Sequence, residues 1–104
     1  MSGPVLTVGP AVIRETVRRA ALDVPGVVRV GRSGNPLRQR LAGSALKLRL
    51  DGTTVNVRVA IVVRPGQSVR SVAGHVRAAI VAALERQLGL LPGVVTVSVD
   101  GVGS

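Results

Sequence analysis

Lys47, Arg49 and Arg58 are each flanked by apolar residues, in the runs Leu46-Lys47-Leu48-Arg49-Leu50 and Val57-Arg58-Val59. Side chains of an extended chain alternate between two faces, so this spacing lines cations along one face and leaves Leu and Val on the other. The chemistry open to a row of ammonium and guanidinium groups is attraction and hydrogen bonding of anions such as phosphates and carboxylates. Three more arginines, Arg32, Arg38 and Arg40, fall in GRSGNPLRQRLAG, residues 31–43, where Gly and Pro signals mark a surface loop. The expected anion- or partner-binding set is therefore Lys47, Arg49, Arg58, Arg32, Arg38 and Arg40. Arg29, Asn56, Thr96 and Ser98 share the face, with Arg64 at one end. The same pattern fits charges that only keep an exposed sheet face wet.

Other chemistries lack their groups. The chain has no Cys and no Tyr, one His and five carboxylates. Disulfides, thiolate metal sites and thiol catalysis are excluded. Asp51 and Asp100 read as turn residues, Glu15 and Glu85 as exposed helix flanks and Asp23 as a helix end, with no metal-ligand spacing among them. His75 stands beside Val76 of an apolar stripe and reads as a boundary residue of a helix. Gly26, Gly31 and Gly34 form no phosphate-cradling pattern. The residues point to no enzyme, no cofactor, no metal and no small-molecule substrate.

Lys and Arg number 14 against 5 Asp and Glu, a formal charge of +9. Such a balance favours polyanionic neighbours, whether nucleic acid, anionic lipid or an acidic protein surface. Aromatic content is 0%, which removes the stacking platforms that single-strand recognition uses. Contact with phosphate backbones without base specificity remains as an alternative reading, that of a small basic nucleic-acid-associated protein. The start, MSGPVLTVGP, has no secretory pattern, and the apolar run AAIVAAL is far short of the ~20 residues that span a bilayer. The expectation is a cytoplasmic protein whose membrane contact is peripheral.

Period and punctuation supply the elements that must position these groups. Pro10 opens a helix through Leu22 whose apolar face is Val12, Ile13, Thr16, Val17, Ala20 and Ala21. Val27–Val30 reads as a strand. Leu46, Leu48 and Leu50 face inward on one arm of a hairpin, Val55, Val57, Val59, Ile61 and Val63 on the other, with Asp51-Gly52, or a pair shifted by one residue, as the turn. Ser68 caps a second helix to about Leu88, with the stripe Val69, Val72, Val76, Ile80, Ala83, Leu84 and Leu88. Val94–Val99 closes the chain as a strand, and Pro4–Val8 reads as a short edge strand. The expected fold class is α+β, a two-layer sandwich with two amphipathic helices on one face of a mixed four- to five-stranded sheet. Residues 1–104 read as a single domain with flexible ends at 1–4 and 102–104.

Two further features stand out. An apolar-Pro-Gly-Val-Val-x-Val phrase occurs twice, at 24–30 and 91–97. Each Pro-Gly is expected to turn a helix end into a strand, with Gly26 and Gly93 at positive φ. Ala60 and Val62 fall in the outward register of an otherwise alternating strand; this fits either a locally covered strand end or an oligomer contact, and the oligomer contact is the expectation adopted.

Taken in order, AALDVPGVVRVG, V-x-V-x-V-x-I-V-V, G-x-S-V-x-x-V-A-x-x-V, a helix ending LGL and a closing V-x-V-D-G-V resemble the alkaline shock protein family, the envelope stress response proteins of Gram-positive bacteria. The resemblance runs from about Val5 to Val102. It implies a non-enzymatic, cytoplasmic protein, and with the homo-oligomer expected from Ala60, Val62 and the short edge strands the leading reading is a scaffold or adaptor that acts by binding and self-association. It also implies a stress-response role at the cell envelope, with a membrane-anchored protein partner at the inner face of the membrane. A weak contact with anionic lipid follows from the basic charge, and nucleic acid ranks behind both. The family pattern contains no catalytic residues to carry over. This chain departs from it in being strongly basic and in its Arg-rich loop.

Overall fold

The computed structural model describes residues 8–31 and 45–103. Helix α1 spans Pro10–Leu22, strand β1 Val27–Val30, β2 Leu46–Asp51, β3 Thr54–Val63, helix α2 Val69–Leu88 and β4 Leu91–Val102. The expected edge strand at Pro4–Val8 falls almost wholly outside the described residues.

β3 is the centre of the sheet. β2 pairs antiparallel with its first half and β1 antiparallel with its second half, so these two short strands share one edge of β3. β4 runs parallel along the other edge. A parallel neighbour needs a crossover, and α2 supplies it. The sheet is thus mixed, and the fold is α+β.

Both helices lie on one face. α1 buries Ile13, Val17 and Ala21, α2 buries Val72, Val76, Ile80, Ala83 and Leu84, and β3 meets them with Val55, Val57, Val59, Ile61 and Val63. No aromatic ring is available, so β-branched and Leu side chains fill the layer, and their stiff rotamers suit close packing. Arg14 ties α1 to the sheet by donating from its guanidinium to the Leu46 carbonyl at 2.6 Å.

Two apolar helix positions expected to be buried are exposed, and the hairpin takes the shifted register. Val12 is 53% exposed although it was placed on the apolar face of α1. Ile13, Val17 and Ala21, at i, i+4 and i+8, suffice for the narrow contact α1 makes, and Val12 lies beside that stripe. Val69, at the first turn of α2, is likewise 41% exposed. The hairpin turn shifts by one residue: Asp51 pairs with Thr54, leaving Gly52-Thr53 as the connection. At the other end of the chain, Val102 belongs to β4 and the Gly103 N–H donates to the Val63 carbonyl at 2.9 Å.

The repeated Pro-Gly phrase does two different jobs. Gly26 has φ +96° and turns the chain from α1 into β1. Gly93 has no positive φ and lies inside β4; the corresponding left-handed turn after α2 belongs to Gly89, at φ +64°. Gly93 is needed for another reason. A Cβ there would run into the Asn56 carboxamide and come within 2.9 Å of Thr54 Cγ2.

Candidate anion-binding face

The face of the sheet turned away from the helices carries the even-numbered residues of β3. Its register sets Lys47 opposite Arg58 and Arg49 opposite Asn56 on the β2 side, and Thr96 beside Arg58 on the β4 side. Three strands thus contribute to one row, Lys47–Arg58–Thr96, with Arg49 and Asn56 in the next. Lys47, Arg49 and Arg58 are all exposed. The alternation of β2 and β3 dictates this arrangement. Leu46, Val55, Val57 and Val59 are held by the core, and Lys47, Arg49 and Arg58 on the opposite face point to solvent.

These side chains surround an open depression of about 410 Å³, bordered by Lys47, Arg49, Asn56, Arg58, Val94 and Thr96. Asn56 Oδ1 accepts the Val94 N–H at 2.7 Å, which leaves the carboxamide NH₂ as its remaining donor group. The polar border therefore consists of one ammonium, two guanidiniums, an amide donor and a hydroxyl, with no carboxylate. Glu15 pairs with Arg18 and Arg19, at 3.8 and 3.7 Å, on the outer side of α1. Asp51 shares the outward register of β2 at the hairpin end but does not border the depression. A second depression, along α1, mixes Glu15 and Asp23 with Arg19, so its charges oppose one another.

The expected site is therefore only partly assembled. Lys47, Arg49, Arg58, Asn56 and Thr96 come together, as the alternation predicts. Arg29 is outward and level with Val62, farther along the sheet. The Ser98 hydroxyl turns to the Val59 carbonyl at 3.4 Å instead of the depression. Arg32, Arg38 and Arg40 lie outside the described residues. Val94, 69% exposed at the edge of the depression, was missed; it stands two residues before Thr96 in the same register, and that parity was its signal. Ala60 and Val62 are corrected. They are 2% and 1% exposed, so side chains assigned to a contact between subunits are already covered within the chain.

The fold is an α+β sandwich with both helices on one face of a mixed sheet and basic residues on the opposite face. A family model described as "Asp23 family, cell envelope-related function" (the family's name, unrelated to the residue) matches residues 4–104. The chain belongs to this family, the alkaline shock proteins. No protein of curated function matches it significantly. Among solved structures it is similar to the MamM CTD, at 22% identity and TM-score 0.59 over 89% of this chain and 99% of that one. A copper form of a variant of that domain gives the same identity and score, covering 89% of this chain and 98% of that one. At that identity the likeness is one of fold. Among the described residues there is no cluster of three or more His, Cys, Asp or Glu able to hold a metal ion. No helix among them is long and apolar enough to cross a membrane.

Proposed function

We propose that the protein is a non-enzymatic adaptor of the cell envelope, which docks on an anionic partner at the inner face of the membrane through the sheet face carrying Lys47, Arg49 and Arg58. The observation that carries this reading is the placement of Lys47 directly opposite Arg58, on a border that includes no carboxylate. Like charges across a ladder cost stability, and a bound anion would offset that cost. The depression is open, unlike the enclosed pockets that take small ligands, and this suits a surface. Anionic lipid and an acidic membrane-anchored protein present the same chemistry to it. Family membership supports the envelope setting.

The alternative partner, nucleic acid, is separable by experiment. Sedimentation with phosphatidylserine-rich vesicles, set beside gel shifts with duplex and single-stranded DNA, decides between them. Binding to anionic vesicles and none to neutral ones is expected, with DNA held weakly at physiological salt. Tight DNA binding with a steep salt slope, and vesicles left alone, would overturn the proposal.

A further inference from the structure

We infer that β4 is the self-association edge, and that two copies pair antiparallel through it to give one continuous sheet with both basic faces on the same side. The inference deepens the adaptor reading by naming the interface, and it rests on hydrogen-bond directions.

The Ala60 N–H donates to the Ala45 carbonyl, and the Ala60 carbonyl accepts from Gly31, so both backbone groups of Ala60 face the β1/β2 edge. Val59 and Ile61 must then turn theirs toward β4. In the parallel register, Arg58 beside Thr96 and Ala60 beside Ser98, those groups meet Thr96 and Ser98. Val95, Val97 and Val99 are left with N–H and C=O pointing away from β3. Among the described residues no strand pairs with that outer edge. β4 is the longest strand, 12 residues, and an edge of that length with open backbone groups is a template for another strand.

The charge pattern selects a second copy as the occupant. A chain of net charge +9 repels its own copies over most of its surface. β4, LPGVVTVSVDGV, has no Lys or Arg, and Pro92 stands near its start, clear of the stretch 94–99. That stretch alternates Val with Thr and Ser, a composition of high strand propensity. A two-fold axis through Val97 makes it complementary to itself. Val97 opposes Val97 of the partner subunit with both hydrogen bonds exchanged, Val95 opposes Val99 of the partner subunit, and Thr96 opposes Ser98 of the partner subunit. Val97 and Val99 are now only partly buried against the core, as befits an edge strand, and pairing would cover them further.

Antiparallel pairing of this kind has its two-fold axis perpendicular to the sheet, so the faces do not swap. All four helices fall on one side and both Lys47/Arg49/Arg58 clusters on the other. The two copies of β3 are then three strand spacings apart, roughly 14 Å. An anionic surface could engage both clusters at once, and the avidity of a linked pair would follow.

The test is sedimentation equilibrium of the full chain over a concentration series, with amide hydrogen exchange read at Val95, Val97 and Val99. A dimer is expected, with exchange at these three amides slowing as concentration rises. Val97→Pro removes an outward N–H without touching the β3 ladder, and should weaken dimerisation by about tenfold or more. Should that variant fail to fold, the double variant Thr96→Lys/Ser98→Lys, which sets like charges opposite each other across the new seam, should do the same. A monomer at every concentration overturns the inference. So does a dimer that survives whichever of these variants folds, or one whose three amides stay unprotected.

Discussion

Lys47 and Arg58 face each other as direct partners across the β2–β3 ladder. Because the Ala60 backbone groups point to the β1/β2 edge, those of Arg58 do too. The two residues therefore form a hydrogen-bonded antiparallel pair with Cα atoms roughly 5.5 Å apart. Two cations at that spacing are a local fault in the sheet if stability alone is considered, and an anion site if it is not.

The first prediction follows from that conflict. Lys47→Glu converts a repulsive cross-strand pair into an attractive one, worth about 0.2–1 kcal/mol at low salt. Urea melts should show the variant at least as stable as wild type, while its affinity for anionic vesicles falls. A clear loss of stability would mean that Lys47 has a structural partner the account leaves out.

The two glycines of the repeated phrase should fail in different ways. Gly26→Ala puts a side chain at φ +96° and within 2.9 Å of Val72 Cγ2, and should cost on the order of 1–3 kcal/mol whatever else is changed. Gly93→Ala should be destabilising because of Asn56, so that Gly93→Ala combined with Asn56→Ala should lose less than the sum of the single changes. Denaturant melts of the four variants make the comparison. Simple additivity at Gly93 and Asn56 would refute the close-approach explanation.

The core stripe of α1 makes a sharper test. Ile13 is fully buried and Val12 is 53% exposed, although they are neighbours. Ile13→Ala should cost about 2–5 kcal/mol, and Val12→Ala within about 0.5 kcal/mol. Thermal or urea unfolding giving comparable losses would show that α1 is rotated from the position described.

Much of this arrangement could be read from period alone. The two-residue alternation placed Leu46, Val55, Val57, Val59, Ile61 and Val63 on the buried face and Lys47, Arg49 and Arg58 on the exposed one, because burial fixes one face and the other follows; Leu50, at the hairpin end, is 41% exposed instead of inward. Alternation says which residues share a face, but not which strands are neighbours, so the parallel pairing of β3 with β4 and the shared edge of β1 and β2 were not legible. The Pro-Gly phrase misled for a physical reason. Gly89 had already provided the left-handed turn after α2, leaving Gly93 to be chosen by the bulk of Asn56, a contact between residues far apart in the chain. Ala60 and Val62 misled in the opposite sense, since an apolar residue in the outward register can be covered by its own chain as well as by another.

The central claim is that the outward face of β2 and β3 binds anions, and charge reversal there tests it most directly. The variant Lys47→Glu/Arg49→Glu/Arg58→Glu keeps a like-charge pair at positions 47 and 58, so its stability should stay near that of wild type. Both proteins would be sedimented with phosphatidylserine-rich vesicles at physiological ionic strength, where the Debye length is about 8 Å, and again at about 0.5 M salt. The account predicts that wild type pellets with the vesicles and is released by the added salt, while the folded triple variant stays in the supernatant under both conditions. Equal pelleting of wild type and triple variant, or binding by wild type that persists at the higher salt, would contradict it.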